Sequence, residues 1–523
     1  MLRQLVALLT LAAATAQHDA GPKPVGATLF QWPFVDIGRE CAWLGQQGYG
    51  WVLTSPVQAH IDFAKNGDRP WWIVYQPLNF GVGNRLGSEA DFDAMVAACR
   101  AAGVGVLVDV VLNHGPYGST TSTACFGCTQ KWDATYRPGA AQFSMPEFGF
   151  NIDDTHAGMC TTSIGGKSDD WQNPWTLHNC PLETLVDWDT AKPKVRAAAR
   201  TFLARLLEKG VAGFRVDAAK HIHPDDLAPM LAGLQTREGK PPLVTLEVLH
   251  GFPDRALWQK YMQLGRPWDF DYSYVLGEAF NGNGNLIGAL QPILTGTLPT
   301  PASIAISLIE NHDSERSPSN IAGSSRPGAR AYKQAVAFNV LWAYGAPAIH
   351  SGYWFPSRDA GPPANATGYV LGPGNATNNT FRAPWAGQHR WAEIFPLVAA
   401  RNWMYSGGYK GLPTIRATGP RHIYWSVPGR VFVAINADAR TMDATLPTDL
   451  PPGRYCNTLY ARALNGTCQL LPGVVLNGEA ATYDVAPDGR TRIAIKPSDK
   501  SQVVVLTTEG DKAEKKPVCL LWS

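Results

Sequence analysis

Eight β-rich apolar runs recur along this chain with helical patterns between them, and that rhythm constrains the fold more than any other feature. They are ATLFQW (Ala27 to Trp32), GWVLTS (Gly50 to Ser55), GVLVDVVLN (Gly105 to Asn113), VAGFRVD (Val211 to Asp217), LVTLEV (Leu243 to Val248), DFDYSYV (Asp269 to Val275), SIAISLIEN (Ser303 to Asn311) and APAIHSG (Ala346 to Gly352). Between them lie segments such as EADFDAMVAACRAA and KVRAAARTFLARLLEKG, the second closing on Lys209-Gly210 as a helix C-terminus should. Strands alternating with helices imply a parallel sheet with helices outside it, and eight of them suit a closed (β/α)8 barrel. One interval breaks the rhythm: about 70 residues rich in Gly, Thr, Ser, Asp and Cys separate Asn113 from Asp187, too many for a loop, and read as an inserted domain over residues 115–186. After Gly407 the pattern becomes short alternating runs, HIYWSV, RVFVAINA and SQVVVLTT, which predict a C-terminal antiparallel β-sandwich domain over residues 408–523. The barrel then takes residues 17–114 and 187–407.

Residues 1–16 have the form of a secretory signal: one Arg, an apolar run and the small-residue site Ala14-Thr15-Ala16. No later run is long enough to span a bilayer, so a soluble, secreted, extracellular monomer is expected. The 45 basic and 43 acidic residues are dispersed, leaving no footprint for nucleic acid or an anionic membrane. An uncharged partner fits, and 18 Trp supply stacking platforms as well as core. Nine cysteines in an exported chain favour disulfides: Cys41 with Cys99, Cys160 with Cys180, Cys456 with Cys468, a local pair Cys125 with Cys128, and Cys519 left over. Asn365, Asn375, Asn378 and Asn465 open glycosylation triplets.

The stretch GFRVDAAKH, Gly213 to His221, places Arg215 and Asp217 on one side of a strand whose other side is apolar, so two full charges point into a common space. A buried ion pair adds little net stability, which directs attention to chemistry. Charged residues also close three further strands: Asp109, Asn113 and His114 on the third, Glu247 on the fifth, and Asn311, His312 and Asp313 on the seventh. In a barrel of this kind the C-terminal strand ends carry the active site. Cleavage of a glycosidic bond with retention needs one ionised carboxylate as nucleophile and one protonated carboxyl as acid. Arg215 beside Asp217 favours the charged form there, while Glu247, ending an apolar strand and facing other carboxylates, is expected to hold its proton more tightly.

The segments DVVLNH, GFRVDAAKH, EVLH and IENHD, in this order and at about these separations, resemble the four signature regions of the α-amylase family of glycoside hydrolases, and RPWWIVYQP (Arg69 to Pro77) resembles the sugar-binding loop of its animal-type members. The first two cysteine pairs above have counterparts there. The resemblance implies Asp217 as nucleophile, Glu247 as acid and then base, and Asp313 as the carboxylate that grips ring hydroxyls and stabilises the oxocarbenium-like state. It implies that Arg215 and Asp109 orient the nucleophile, that His114, His312 and Tyr75 contact the sugar at the cleavage subsite, that Trp71, Trp72 and Gln76 line neighbouring subsites, and that Lys220 reaches the leaving-group side. It also implies a structural Ca²⁺ held by the side chains of Asn113 and Asp187 and the backbone carbonyl of His221, all hard oxygen donors.

Three features depart from that pattern. Animal-type members hold chloride with residues matching Arg215 and Asn311 and a third, basic residue, where this chain has Ala348; activity without chloride is therefore expected. The mobile Gly-His-Gly loop is replaced by SERSPSNIAG, and the insertion carries CFGC. The function implied is endo-hydrolysis of α-1,4-glucosidic bonds in starch or glycogen. The rival readings are a glucan transferase or another α-glucosidase of the same family, and a non-catalytic glucan-binding protein, against which the presence of all three carboxylates argues.

Overall fold

The computed structural model describes residues 23–509 except 66, 118–120, 123, 134–142, 144, 166–167, 250–253, 318–320, 322–329, 378, 407–408, 410–411 and 465–466. The leader over residues 1–16, Cys519, the triplets at Asn378 and Asn465 and half of the SERSPSNIAG segment lie outside the described residues. Asn365 and Asn375 are exposed.

Eight parallel strands close into a barrel: β1 Gly26–Leu29, β2 Trp51–Thr54, β3 Gly105–Val111, β4 Gly213–Asp217, β5 Leu243–Leu246, β6 Arg266–Asp269, β7 Ile306–Ser307 and β8 Ala346–Ser351. Each pairs with its sequence neighbours, and β8 closes on β1 with Gly26 opposite Ala348. The strands are continuous apolar runs because both faces are covered, by helices outside and by layered side chains within. Helices Glu89–Ala101 and Pro193–Lys209 fall where the pattern places them. Ser88 and Asp91 form a reciprocal N-terminal cap on the first, and Gly210, at φ 99°, closes the second in the left-handed conformation that glycine adopts without strain. Gly213 is fixed by crowding, since a Cβ there would lie 2.0 Å from the carbonyl oxygen of Leu243 on β5.

The sixth strand corrects the sequence expectation. DFDYSYV is helical, within Phe270–Asn281, and the strand is the preceding Arg266–Asp269. Asp269 ends the strand and caps the helix, its carboxylate accepting the N–H of Tyr272 at 3.0 Å. Aromatic residues of high strand propensity were outweighed by that cap and by burial of Phe270, Tyr272, Leu276 and Phe280 along one helix.

Between β3 and β4 the chain leaves the barrel and builds the insertion, anchored where His114–Tyr117 pairs antiparallel with Leu185–Asp187. Phe126, Trp132, Phe148 and Phe150 form an apolar cluster that the insertion shares with Ile61, Ile73, Leu78 and Trp188 of the barrel segments. The C-terminal region holds a four-stranded antiparallel sheet, from Arg416–Gly419, His422–Val427, Val431–Asn436 and Val503–Thr507, with further antiparallel pairs around a second core. Disulfides join Cys41 to Cys99, Cys125 to Cys128, Cys160 to Cys180 and Cys456 to Cys468, the four pairings expected. No helix among the described residues is long and apolar enough to cross a membrane.

Candidate active site

Arg215 is the centre of the polar cluster at the C-terminal end of the barrel. Parallel register sets it beside Asp109 of β3, and both side chains point inward. Its Nη1 donates to both oxygens of Asp109 at 2.7 Å and to Asp217 Oδ1 at 3.1 Å, while Nη2 lies 3.1 Å from Glu247 Oε1. One buried guanidinium therefore gathers three buried carboxylates from three successive strands. The turn after Asp217 helps: Ala218 has φ 47°, a left-handed conformation costing a non-glycine residue about 1 kcal/mol, and it aims its N–H at Glu247 Oε2, 2.8 Å away.

A single positive charge does not offset three negative ones out of water. Burial first, then the charge of Glu247, pushes the Asp217 carboxyl well above the ordinary range, with Arg215 pulling the other way. Burial likewise raises Asp109 to about 6. Arg215 favours the charged form of Asp217, as the sequence suggests, but burial and the neighbouring carboxylates outweigh it, so the cluster takes up a proton more readily than an isolated aspartate.

Asp313 completes the set from the turn after β7. It is held by Asn311, whose Oδ1 accepts the N–H groups of Asp313 and Ser314 and whose Nδ2 lies 3.4 Å from Asp313 Oδ2. Its side chain is 47% exposed, open to a ligand where the other carboxylates are enclosed. His312, 3.3 Å from Asp313, stacks on Tyr75 with ring centres 4.9 Å apart, and the Tyr75 hydroxyl donates to Asp109 at 3.0 Å. Burial and the nearby Arg215 push the His312 imidazole well below its usual range; burial takes His114 down to about 4, and its Nε2 contacts the Tyr75 carbonyl at 3.0 Å. Both rings are thus neutral hydrogen-bonding groups at pH 7.

Not every expected subsite residue joins this cluster. Trp71 does, its ring 5.6 Å from His312. Trp72 instead packs on Phe63, 5.6 Å away, against the apolar cluster shared with the insertion. Gln76 is buried and accepts the Tyr117 N–H at 2.9 Å, a link from the barrel loop to the insertion. Lys220 is buried, and its ammonium donates to the Leu249 carbonyl at 3.0 Å.

Two contributors have no sequence signal of their own. Phe30 stacks on His312 with ring centres 4.9 Å apart, the same separation at which Tyr75 stacks on it. Arg316 lies 4.0 Å over the Phe355 ring and 5.2 Å from Trp71, and donates to the His312 carbonyl, the Arg358 carbonyl and the Tyr353 hydroxyl. It binds the Asp313 turn to the loop after β8. A charge inside a run of polar loop residues announces neither contact.

Asn113 and Asp187 meet at the junction of barrel and insertion, with Asn113 Nδ2 3.4 Å from Asp187 Oδ1. Asp187 is buried, which raises its pKa to about 6, and its other oxygen faces His156 Nδ1 at 2.7 Å. His221 is buried in the turn after β4, and its ring contacts the Leu177 carbonyl of the insertion at 3.2 Å. Asn113 and Asp187 each carry a side-chain oxygen of the hard kind that calcium takes, but here it is the Asn113 amide nitrogen that faces Asp187, so holding the ion would need that amide turned over. Arg215 and Asn311 line one small cavity of about 20 Å³, while Ala348 belongs to the apolar interior with Trp51, Trp268 and Leu308.

Comparison with known proteins agrees with this geometry. Residues 75–285 match the family model for the alpha-amylase catalytic domain. An alpha-amylase-related protein of Drosophila elegans is 32% identical over 475 residues, spanning 87% of this chain and 90% of that protein; one from Drosophila varians is 30% identical over 475 residues, spanning 89% and 92%. The solved structure of wild-type alpha-amylase I from Eisenia fetida aligns with a TM-score of 0.81 at 28% identity, covering 92% of this chain and 97% of that one. A gamma-CGTase from alkalophilic Bacillus clarkii, at 16% identity and a TM-score of 0.61, covers 91% of this chain and 64% of its own and shares the fold. With relatives above the thirty-percent level along nearly the whole chain and the four strand-end motifs meeting at one rim, the chain belongs to the α-amylase family of glycoside hydrolases.

Proposed function

We propose that the protein is an exported α-amylase that hydrolyses internal α-1,4-glucosidic bonds of starch or glycogen with retention of configuration. The observation that carries this is the gathering of Asp217 and Glu247 on the two terminal nitrogens of Arg215, with Asp313 at the open side. In the first step Asp217 attacks the anomeric carbon as its bond to the glycosidic oxygen breaks, and Glu247 gives that oxygen a proton. In the second, Glu247 takes a proton from water, the water oxygen bonds to the anomeric carbon and the Asp217 ester is released. Glu247 Oε2 accepts the Ala218 N–H while Oε1 only faces the Arg215 guanidinium at 3.1 Å, so Oε1 is the oxygen that can carry the proton toward the glycosidic oxygen.

We place a calcium ion at Asn113, Asp187 and the His221 carbonyl; when bound it supplies positive charge that compensates the buried Asp187 and fastens the insertion to the barrel. Chloride has no such support, since the strand position expected to hold a basic residue is Ala348 in apolar surroundings. Export is supported by the four disulfides.

The test is release of reducing ends from soluble starch in chloride-free buffer containing calcium. Wild-type protein is expected to be active and Glu247→Gln to lose at least about a thousandfold in turnover while still binding maltoheptaose. Full turnover by Glu247→Gln would remove the assignment of the acid.

A further inference from the structure

Outside the catalytic cluster the described residues enclose a second cavity, of about 550 Å³, between the insertion and the barrel. The insertion contributes Trp175 and Asn179 from the short helix Pro174–Asn179; the barrel contributes His223 from the start of the helix after β4 and Asp254 from the start of the helix after β5. Trp175 is 54% exposed. Met159, 53% exposed, lines the same cavity, and exposed apolar side chains grouped with a few polar groups are the common form of a small-ligand site.

We propose that this cavity is a second binding site for a neutral carbohydrate, an α-glucan chain, separate from the cleft where bonds are cut; the choice of glucan rests on the function proposed above. The charge of the lining disfavours an anionic ligand: Asp189, Asp226 and Asp254 face the cavity, no Lys or Arg is among the described lining residues, and Arg196 behind them is engaged with Asp226 at 2.9 Å. The hydrogen-bonding capacity suits hydroxyl groups. Asp254 uses Oδ1 to cap its helix, which leaves Oδ2 for a ligand. His223 accepts the Asp225 N–H at Nδ1, which leaves Nε2, and Asn179 donates to the Trp175 carbonyl through Nδ2, which leaves its Oδ1. The indole offers a flat apolar surface to a pyranose face. Asp217 and Glu247 stand on the strands that feed these two helices, so a chain held here lies on the same end of the barrel as the cleavage site.

Co-sedimentation with raw starch granules, paired with turnover of maltotetraose, tests the site. Trp175→Ala is expected to weaken granule binding about tenfold, Trp175→Phe to retain most of it, and both to turn over maltotetraose at the wild-type rate. Granule binding by Trp175→Ala equal to wild type overturns the proposal. Weakened granule binding in a protein whose wild type cleaves no glucan leaves the site standing and removes the catalytic reading instead.

Discussion

In the proposed mechanism Asp217 attacks as its carboxylate, and its surroundings oppose ionisation. Because burial and the Glu247 charge raise its carboxyl above the ordinary range, the fraction ready to react falls as pH drops through that raised value. The acid limb of kcat/KM is therefore expected at a pH clearly above about 3.9, where an exposed aspartate titrates. A pH profile on maltopentaose checks this; a limb at or below the exposed value would mean that Arg215 outweighs the other two carboxylates. At this scale the sequence exposed Asp109, Arg215, Asp217, Glu247, His312 and Asp313, because a charge closing an apolar strand is visible without coordinates. Their relative ionisation was not visible, since it depends on how many carboxylates share one guanidinium. Nor was Phe30, whose role comes from its contact with His312, far along the chain, and from no pattern around itself.

Among the elements, the junction of β6 with its helix carries a pH effect on stability. Asp269 is buried, accepts from Tyr344 as well as from the Tyr272 N–H, and burial raises its pKa from 3.8 to about 6. Between those two values the unfolded chain releases the proton before the folded one, so stability falls as pH rises across that window and levels off above it. The shift corresponds to a loss of about 3 kcal/mol at most. Asp269→Asn, which keeps a capping oxygen, is expected to flatten the fall between pH 4 and pH 7 in denaturant melts; an unchanged slope would place the effect elsewhere. The same junction is where the sequence misleads. The alternating aromatics of FDYSYV fit a strand pattern as well as a helix, and only the capping contact of Asp269 and the packing of the helix on the barrel decide between them.

For the whole molecule, the barrel, the insertion and the C-terminal β domain were legible because each change of architecture changes the period of the apolar residues. How the C-terminal strands divide among sheets was not, since the pairing of Val431–Asn436 with Val503–Thr507 spans a distance in sequence that alternation does not encode. The insertion meets the barrel through the His114–Tyr117 ladder and the Asn113–Asp187 contact, so chelation of calcium is expected to lower the Tm and its restoration to recover it. A Tm indifferent to chelator would remove the ion from the account. The central claim is that carboxylates gathered by Arg215 cut an α-glucosidic bond in two displacements. The most direct test is the initial anomer of the new reducing end, followed by proton NMR as the purified protein digests maltoheptaose: α-anomer appearing first is predicted, and β-anomer appearing first would contradict it.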